Sequence, residues 1–419
     1  MTSPLEQRVL DAINIDDLLA SLCQMVAFPS LGAHETPIQN FVAAFLRDIG
    51  MQVDVWQLDF AALSQHPAYS IEIERAEGLG VVGKMGASSG PSLILNGHVD
   101  VVPAGELANW HYPPWQGTVT EDRVYGRGAL DMKGGLCCAM YAAKAIRDAG
   151  LTLKGSLLIE SVIGEEEGGV GALATVLRGY KADAAIIMEP TELMIAPAQA
   201  GALNFRITVP GLAAHGALRA EGVSAIEKFI PLYQAIMRFE ESRTAAANNP
   251  LFAAYPIPYP IAIGTINGGS WASTVAEKVT FEGRFGIAVG EDTTTARRAF
   301  EQIVAQAAQS DPWLTEHPPT VEWWGGQFES ASIPVDHPIV STVTAAYHDI
   351  SGAQPIIRGM PYGADMRLLV NNGGTPTLMF GPGDIRKAHQ PDEYIPIADL
   401  VATVQTLALT ALRFCGVQD

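Results

Sequence analysis

The chain is 419 residues long, 48% apolar, and carries a formal charge of −19 at pH 7. That length exceeds one ordinary hydrophobic core and predicts two domains. The negative balance argues against nucleic acid and membrane surfaces as partners, and no stretch approaches the roughly twenty uninterrupted apolar residues that span a bilayer. The first residues, Met1 to Arg8, lack a basic segment followed by an apolar one, so no secretory signal is expected. Cys23, Cys137, Cys138 and Cys415 read as buried small hydrophobes, and a reducing cytoplasm is the simplest location.

Residues 16–26 and 36–49 carry apolar positions at helical spacing, with Asp16 and Thr36 placed to cap them. Residues 92–97 predict a strand, and an Ala-rich helix over 134–149 ends at Gly150. Strands follow at 155–163 and 182–188, completing the alternation of a mostly parallel α/β sheet. After Glu189 the grammar changes to strand 202–209, helix 222–239, strands 261–267 and 277–287, helix 291–309 and strand 320–324. The order βαββαβ is that of a ferredoxin-like α+β module. Asn248-Asn249-Pro250 and residues 256–260 read as loops within it. From about Asp336 the α/β pattern resumes, so the module is read as an insertion. The expected fold is α/β, with residues 1–202 and 328–419 forming a discontinuous catalytic domain and residues 203–327 an inserted lid.

Ligand-type side chains sit just past the apolar runs. His98 follows residues 93–97, Glu165 and Glu166 follow 157–163, Glu189 follows 184–188, and His389 comes shortly after 377–380. Asp131 lies in the glycine-rich loop 126–135. In open α/β sheets binding sites form beyond the carboxyl ends of the strands. Two histidines and several carboxylates converging there suit zinc or a similar divalent ion. In His98-Val99-Asp100 both polar side chains can face the same way. A metal-bound imidazole donates its other N–H to a carboxylate, which suits Asp100. Two adjacent carboxylates, Glu165 and Glu166, can divide labour, one holding metal and the other moving protons.

The segments Gly97-His98-Val99-Asp100-Val101-Val102-Pro103, Gly126-Arg127-Gly128-Ala129-Leu130-Asp131-Met132-Lys133-Gly134-Gly135, Glu165-Glu166-Glu167-Gly168-Gly169, Glu189-Pro190-Thr191 and Ala388-His389 occur in that order. Together they resemble the M20 metallohydrolases, the group of acetylornithine deacetylase, succinyl-diaminopimelate desuccinylase, aminoacylase and glutamate carboxypeptidase. The resemblance implies two Zn2+ ions, for which Co2+ can substitute. His98 and Glu189 would hold one, Glu166 and His389 the other, and Asp131 would bridge them. Glu165 would be the general base and Asp100 the partner of His98. The insertion would dimerise the chain, with His215 reaching across the homodimer to stabilise an oxyanion. Arg284 resembles a lid arginine that binds a substrate carboxylate, and Gly381-Pro382-Gly383 a loop whose backbone donors contact it.

The chain departs from the pattern at Gly164, where relatives often carry an acid, and at Ser273-Thr274-Val275-Ala276, where many carry an asparagine. Ser161-Val162-Ile163, Gly171-Ala172-Leu173 and Ala198-Gln199-Ala200-Gly201 look most like acetylornithine-deacetylase-like deacylases. The implied activity is removal of a small acyl group from an N-acyl amino acid. A metallo-exopeptidase cleaving dipeptides with the same site is the competing reading, and a non-catalytic ligand-binding protein on this fold the remote one.

Overall fold

The computed structural model describes residues 2–418. The chain divides into two compact units. One comprises the chain through Ala198, Ser332–Gly359 and everything from Ala364 onward; the other comprises Gln199–Ala331 and the short return Met360–Gly363. The observed junctions lie slightly outside the expected 203–327.

The first unit is built on a six-stranded sheet in the order Gln52–Gln57, Leu79–Gly86, Ser156–Val162, Leu93–His98, Ala184–Ile187, Thr377–Met379. The last four strands run parallel, while Leu79–Gly86 is antiparallel to both its neighbours. Every residue of Leu93–His98 and of Ser156–Val162 is buried, as expected of parallel strands covered on both faces. Register aligns the carboxyl ends: His98 pairs with Val162, and Asn96 with both Glu160 and Ile187. The loops bearing Asp100, Glu165 and Glu189 therefore leave the sheet at one edge, as in other open α/β sheets.

Helices Gly134–Asp148 and Ile397–Cys415 pack on each other and on the sheet, while Thr36–Asp48 and Val170–Arg178 pack on its antiparallel side. Helix Ile397–Cys415 is long and apolar enough to cross a membrane by length and composition. Here Leu400, Val404, Leu407 and Ala411 are fully buried in the protein core. The first two predicted caps differ from those observed. Asn14, not Asp16, caps helix Ile15–Val26 by accepting from the Asp17 N–H at 3.1 Å. Helix Thr36–Asp48 starts without a side-chain cap. The four cysteines are free thiols, three of them buried.

The second unit is a four-stranded antiparallel sheet in the order Ile261–Gly268, Lys278–Ile287, Gly201–Pro210, Thr320–Phe328, with helices Ala225–Ala246 and Thr293–Gln309. Chain order and sheet order are those of the ferredoxin-like module. Burial alternates strictly along Gly201–Pro210, so Leu203, Phe205, Ile207 and Val209 all point into one core with Phe281, Phe285 and Phe300. The first helix begins at Ala225 rather than 222, because Ser224 caps it, and runs to Ala246 rather than 239. Its added turns are held by Arg243, whose guanidinium reaches Glu291 at 2.6 and 2.8 Å and the Gly286 carbonyl at 2.8 Å.

Candidate active site

Strand ends and their loops bring His98, Asp131, Glu165, Glu166, Glu189 and His389 together in the first unit. Asp131 sits at the centre. Its Oδ1 lies 3.2 Å from His98 Nε2 and its Oδ2 3.4 Å from His389 Nε2. Glu189 Oε1 is 3.8 Å and Glu165 Oε2 4.0 Å from His98 Nε2. Glu166 Oε1 is 3.1 Å from His389 Nε2. The side chains of His98, Glu189, Asp131 and Glu165 are at most 9% exposed, whereas that of His389 is 51% exposed and forms the open side. His389 adopts φ +60°, a left-handed conformation unusual for a side-chain-bearing residue and found disproportionately at functional sites.

Charge is concentrated here beyond what burial tolerates unaided. Burial, then repulsion from Glu189, pushes Glu165 well above the ordinary carboxylate range; burial and Asp131 do the same to Glu189. Burial and Asp131 also raise Glu166. Asp131 moves the other way, because hydrogen bonds to His389 and His98 outweigh its burial. Hydrogen bonds to Asp131 and Glu166 raise His389 to about 11. Burial opposes charge on His98, yet Asp100 and Asp131 drive it well above the usual imidazole value. Mutual perturbation of this kind marks the cluster as a candidate functional site.

The donor set fits divalent cations. Ligand atoms of His98, Glu165 and Glu189 lie within 4.8 Å of one another, as do those of His98, Asp131 and Glu166. Imidazole and carboxylate are the ligands zinc takes at hydrolytic sites. Cations placed among these oxygens would relieve the repulsion that raises Glu165, Glu166 and Glu189.

Asp100 is close to its expected role, with one difference. His98 Nδ1 hydrogen-bonds to the Asp100 backbone carbonyl at 2.9 Å, and the carboxylate Oδ1 stands off at 3.5 Å. Asp100 Oδ2 instead accepts from the Glu166 N–H at 3.0 Å, joining the loops of two candidate ligands. The loop Gly381-Pro382-Gly383 corrects the sequence expectation. Gly381 N–H is spent on Thr191 Oγ1 at 3.0 Å and Gly383 N–H on Asp399 at 3.1 Å, while proline has no N–H. No backbone donor of this loop is left for a substrate.

His215 and Arg284 belong to the second unit. His215 Nδ1 accepts from the Ala217 N–H at 3.1 Å, so the neutral ring carries its proton on Nε2. Arg284 donates to the Pro361 carbonyl at 3.4 Å, and burial lowers its guanidinium pKa. Among the described residues no carboxylate pairs with Arg284, which leaves a half-buried cation without a counter-ion.

Several contributors escaped the sequence reading. Glu167 is drawn away from its two neighbours by the buried Arg75, which bonds it at 3.0 Å and Glu35 at 2.6 Å. Lys133 is fully buried, donates to the Phe28 carbonyl at 2.8 Å, and is pulled down to about 7 by burial. Arg127 and Glu393 form a buried ion pair beside Asp131. Arg127 and Lys133 lay within a quoted motif, but nothing in their spacing announced a role. Glu393 follows His389, the last candidate ligand, closely and carried only that proximity as a signal.

Fold and site together define a hydrolase of amide bonds on an α/β scaffold with a ferredoxin-like insertion. The chain belongs to Peptidase family M20/M25/M40, whose family model matches residues 94–413. It is 29% identical to the N-formyl-4-amino-5-aminomethyl-2-methylpyrimidine deformylase of Halalkalibacterium halodurans, covering 96% of this chain and 95% of that protein. Acetylornithine deacetylase of Klebsiella pneumoniae is 28% identical, covering 93% and 96%. A di-peptidase of Saccharomyces cerevisiae has the same fold, with a TM-score of 0.79 at 13% identity over 99% of both chains.

Proposed function

We propose that this protein is a dinuclear zinc amidohydrolase that removes a small acyl group from an N-acyl amino acid. The observation that carries the reading is the arrangement of Asp131, which offers one carboxylate oxygen to each histidine of the cluster. His98 and Glu189 would hold one ion, Glu166 and His389 the other, and Asp131 would belong to both. Bound there, the ions would polarise the acyl oxygen and acidify a water molecule.

The chain's own residues do the rest. Glu165, buried and with its proton affinity raised, takes the proton of the attacking water and hands it to the departing amine. Asp100 holds the His98 ring from behind through its backbone carbonyl, and its carboxylate fixes the Glu166 backbone. Nε2–H of His215, supplied by the second protomer of a homodimer, donates to the oxyanion. Arg284 donates a bidentate pair of hydrogen bonds to the substrate carboxylate. A dimer is supported by Ile226, Ile230 and Tyr233, 41–49% exposed on one stripe of helix Ala225–Ala246. Free thiols suit a reducing cytoplasm.

A second reading, a deformylase acting on an aminomethyl-pyrimidine formamide, is favoured by likeness to the Halalkalibacterium enzyme along nearly the whole chain. That named substrate bears no carboxylate, so Arg284 would go unused. The deciding experiment is free-amine release by zinc- or cobalt-loaded protein. The panel holds N-acetyl, N-formyl and N-succinyl amino acids, N-acetylornithine, the formamidomethyl-pyrimidine and simple dipeptides. Preference for an acyl amino acid, lost in Arg284→Ala through KM, supports the leading reading. Preference for the pyrimidine or for dipeptides replaces it.

A further inference from the structure

Two ligand-bearing segments, those of Asp131 and His389, are joined through one side chain that the reaction does not use. Glu393 is 1% exposed. Its Oε1 accepts from three backbone N–H groups, those of Gly128 at 2.9 Å, Leu130 at 3.0 Å and Asp131 at 3.2 Å. Its Oε2 accepts from Arg127 Nη1, and Arg127 Nη2 donates to the Pro103 carbonyl at 3.2 Å. The Glu393 carbonyl accepts from the Gly126 N–H at 2.9 Å, and Tyr394–Pro396 pairs antiparallel with Arg123–Tyr125.

The cradle is a built feature. Gly128 takes φ +80°, and a Cβ there would meet Val101 Cγ1 at 2.5 Å, so a glycine is required to bring these N–H groups to one point. Every bond to its two oxygens is donated by the protein, which offsets part of the burial that raises this carboxyl to about 7. Burying a carboxylate is costly unless such bonds satisfy it. The bonds also set geometry. Asp131 cannot rotate its backbone without breaking its own N–H bond to Glu393, and Glu393 is joined by a short loop to His389.

We propose that Glu393, braced by Arg127, is a positioning residue that holds Asp131 and His389 at the separation the ions require. The proposal rests on the ligand assignment above. It is the counterpart of the tie Asp100 makes to Glu166.

The test is a titration of metal-free protein with Co2+, followed by visible absorbance, for wild type, Glu393→Gln, Glu393→Asp and Glu393→Ala. Glutamine keeps an oxygen for the three N–H groups, aspartate is a methylene too short, and alanine offers nothing. Wild type is expected to bind two equivalents, and Glu393→Gln to stay within about threefold of it. Glu393→Asp and Glu393→Ala should lose about 10–100-fold in affinity for the weaker equivalent, with an altered cobalt spectrum, as supporting partners of ligands do. Because alanine strands the buried Arg127, the double variant Arg127→Ala/Glu393→Ala is measured as well and should show the same cobalt loss. Wild-type affinity and spectrum in the double variant, or equal affinity in Glu393→Gln and Glu393→Asp, would overturn the positioning role. Failure of the wild type itself to bind two equivalents would instead overturn the ligand assignment.

Discussion

Glu165 and Glu166 are chain neighbours with opposite surroundings, and that difference makes their roles separable. Glu166 stands 3.1 Å from His389, whereas Glu165 faces Glu189 and stands 4.0 Å from His98. Glu165→Gln removes the proposed proton carrier and keeps the shape, so kcat should fall about 10²–10⁴-fold. Metal content by elemental analysis should stay at the wild-type value. A variant that loses metal in proportion to activity would make Glu165 a ligand instead. At this scale the sequence was informative for side chains that follow a strand directly, because strand length and register place them. It was silent on Glu393 and Arg75, whose partners are far along the chain: Glu393 meets Leu130 across 263 positions, and Arg75 meets Glu167 across 92. No local pattern encodes such pairs. The Gly381 to Gly383 loop misled because its glycines match the family pattern while its N–H groups are engaged elsewhere.

Elements carry their own tests. Helix Ile15–Val26 was expected to start at Asp16, but Asn14 makes the capping bond. Asn14→Ala should cost about 1 kcal/mol in chemical denaturation, and Asp16→Ala much less, since only Asn14 satisfies an otherwise unpaired N–H. Equal costs would return the cap to Asp16. On strand Ser156–Val162, Glu160 is 1% exposed and bonds Asn96 at 3.0 Å. Burial raises its pKa to about 7, from 4.5. The folded state thus holds this proton more tightly than the unfolded chain. Its stabilising contribution is complete below pH 4.5 and is lost as pH rises from 4.5 to 7. Glu160→Gln has no such loss. Between pH 4 and pH 8 its stability relative to wild type should improve by on the order of 3 kcal/mol. A difference that does not change with pH would mean Glu160 titrates normally. Strands with uninterrupted apolar runs were legible as elements. Gln52–Gln57 and Leu79–Gly86 were not, because the first is a half-buried edge and the second is broken by glycines.

At the scale of the whole molecule, the inserted unit decides whether catalysis needs two chains. Its βαββαβ order was legible because the strict alternation of Gly201–Pro210 and the helix patterns are local. Its oligomeric use is not local, since Ile226, Ile230 and Tyr233 read in the sequence as ordinary apolar positions of a helix, and only the fold leaves them exposed. Complementation separates the two. His215→Ala and Glu165→Ala should each be nearly inactive as pure dimers. If His215 acts across the dimer, a mixed dimer regains one complete site, formed by Glu165 of the first variant and His215 of the second. Random exchange at equal amounts makes half the dimers mixed, each with one working site of two, so activity should recover to about a quarter of wild type. Recovery must also disappear on dilution below the dimer dissociation constant, where sedimentation shows monomer. No recovery from a mixture proven to contain mixed dimers would place His215 at the site of its own chain, because two cis lesions cannot repair each other.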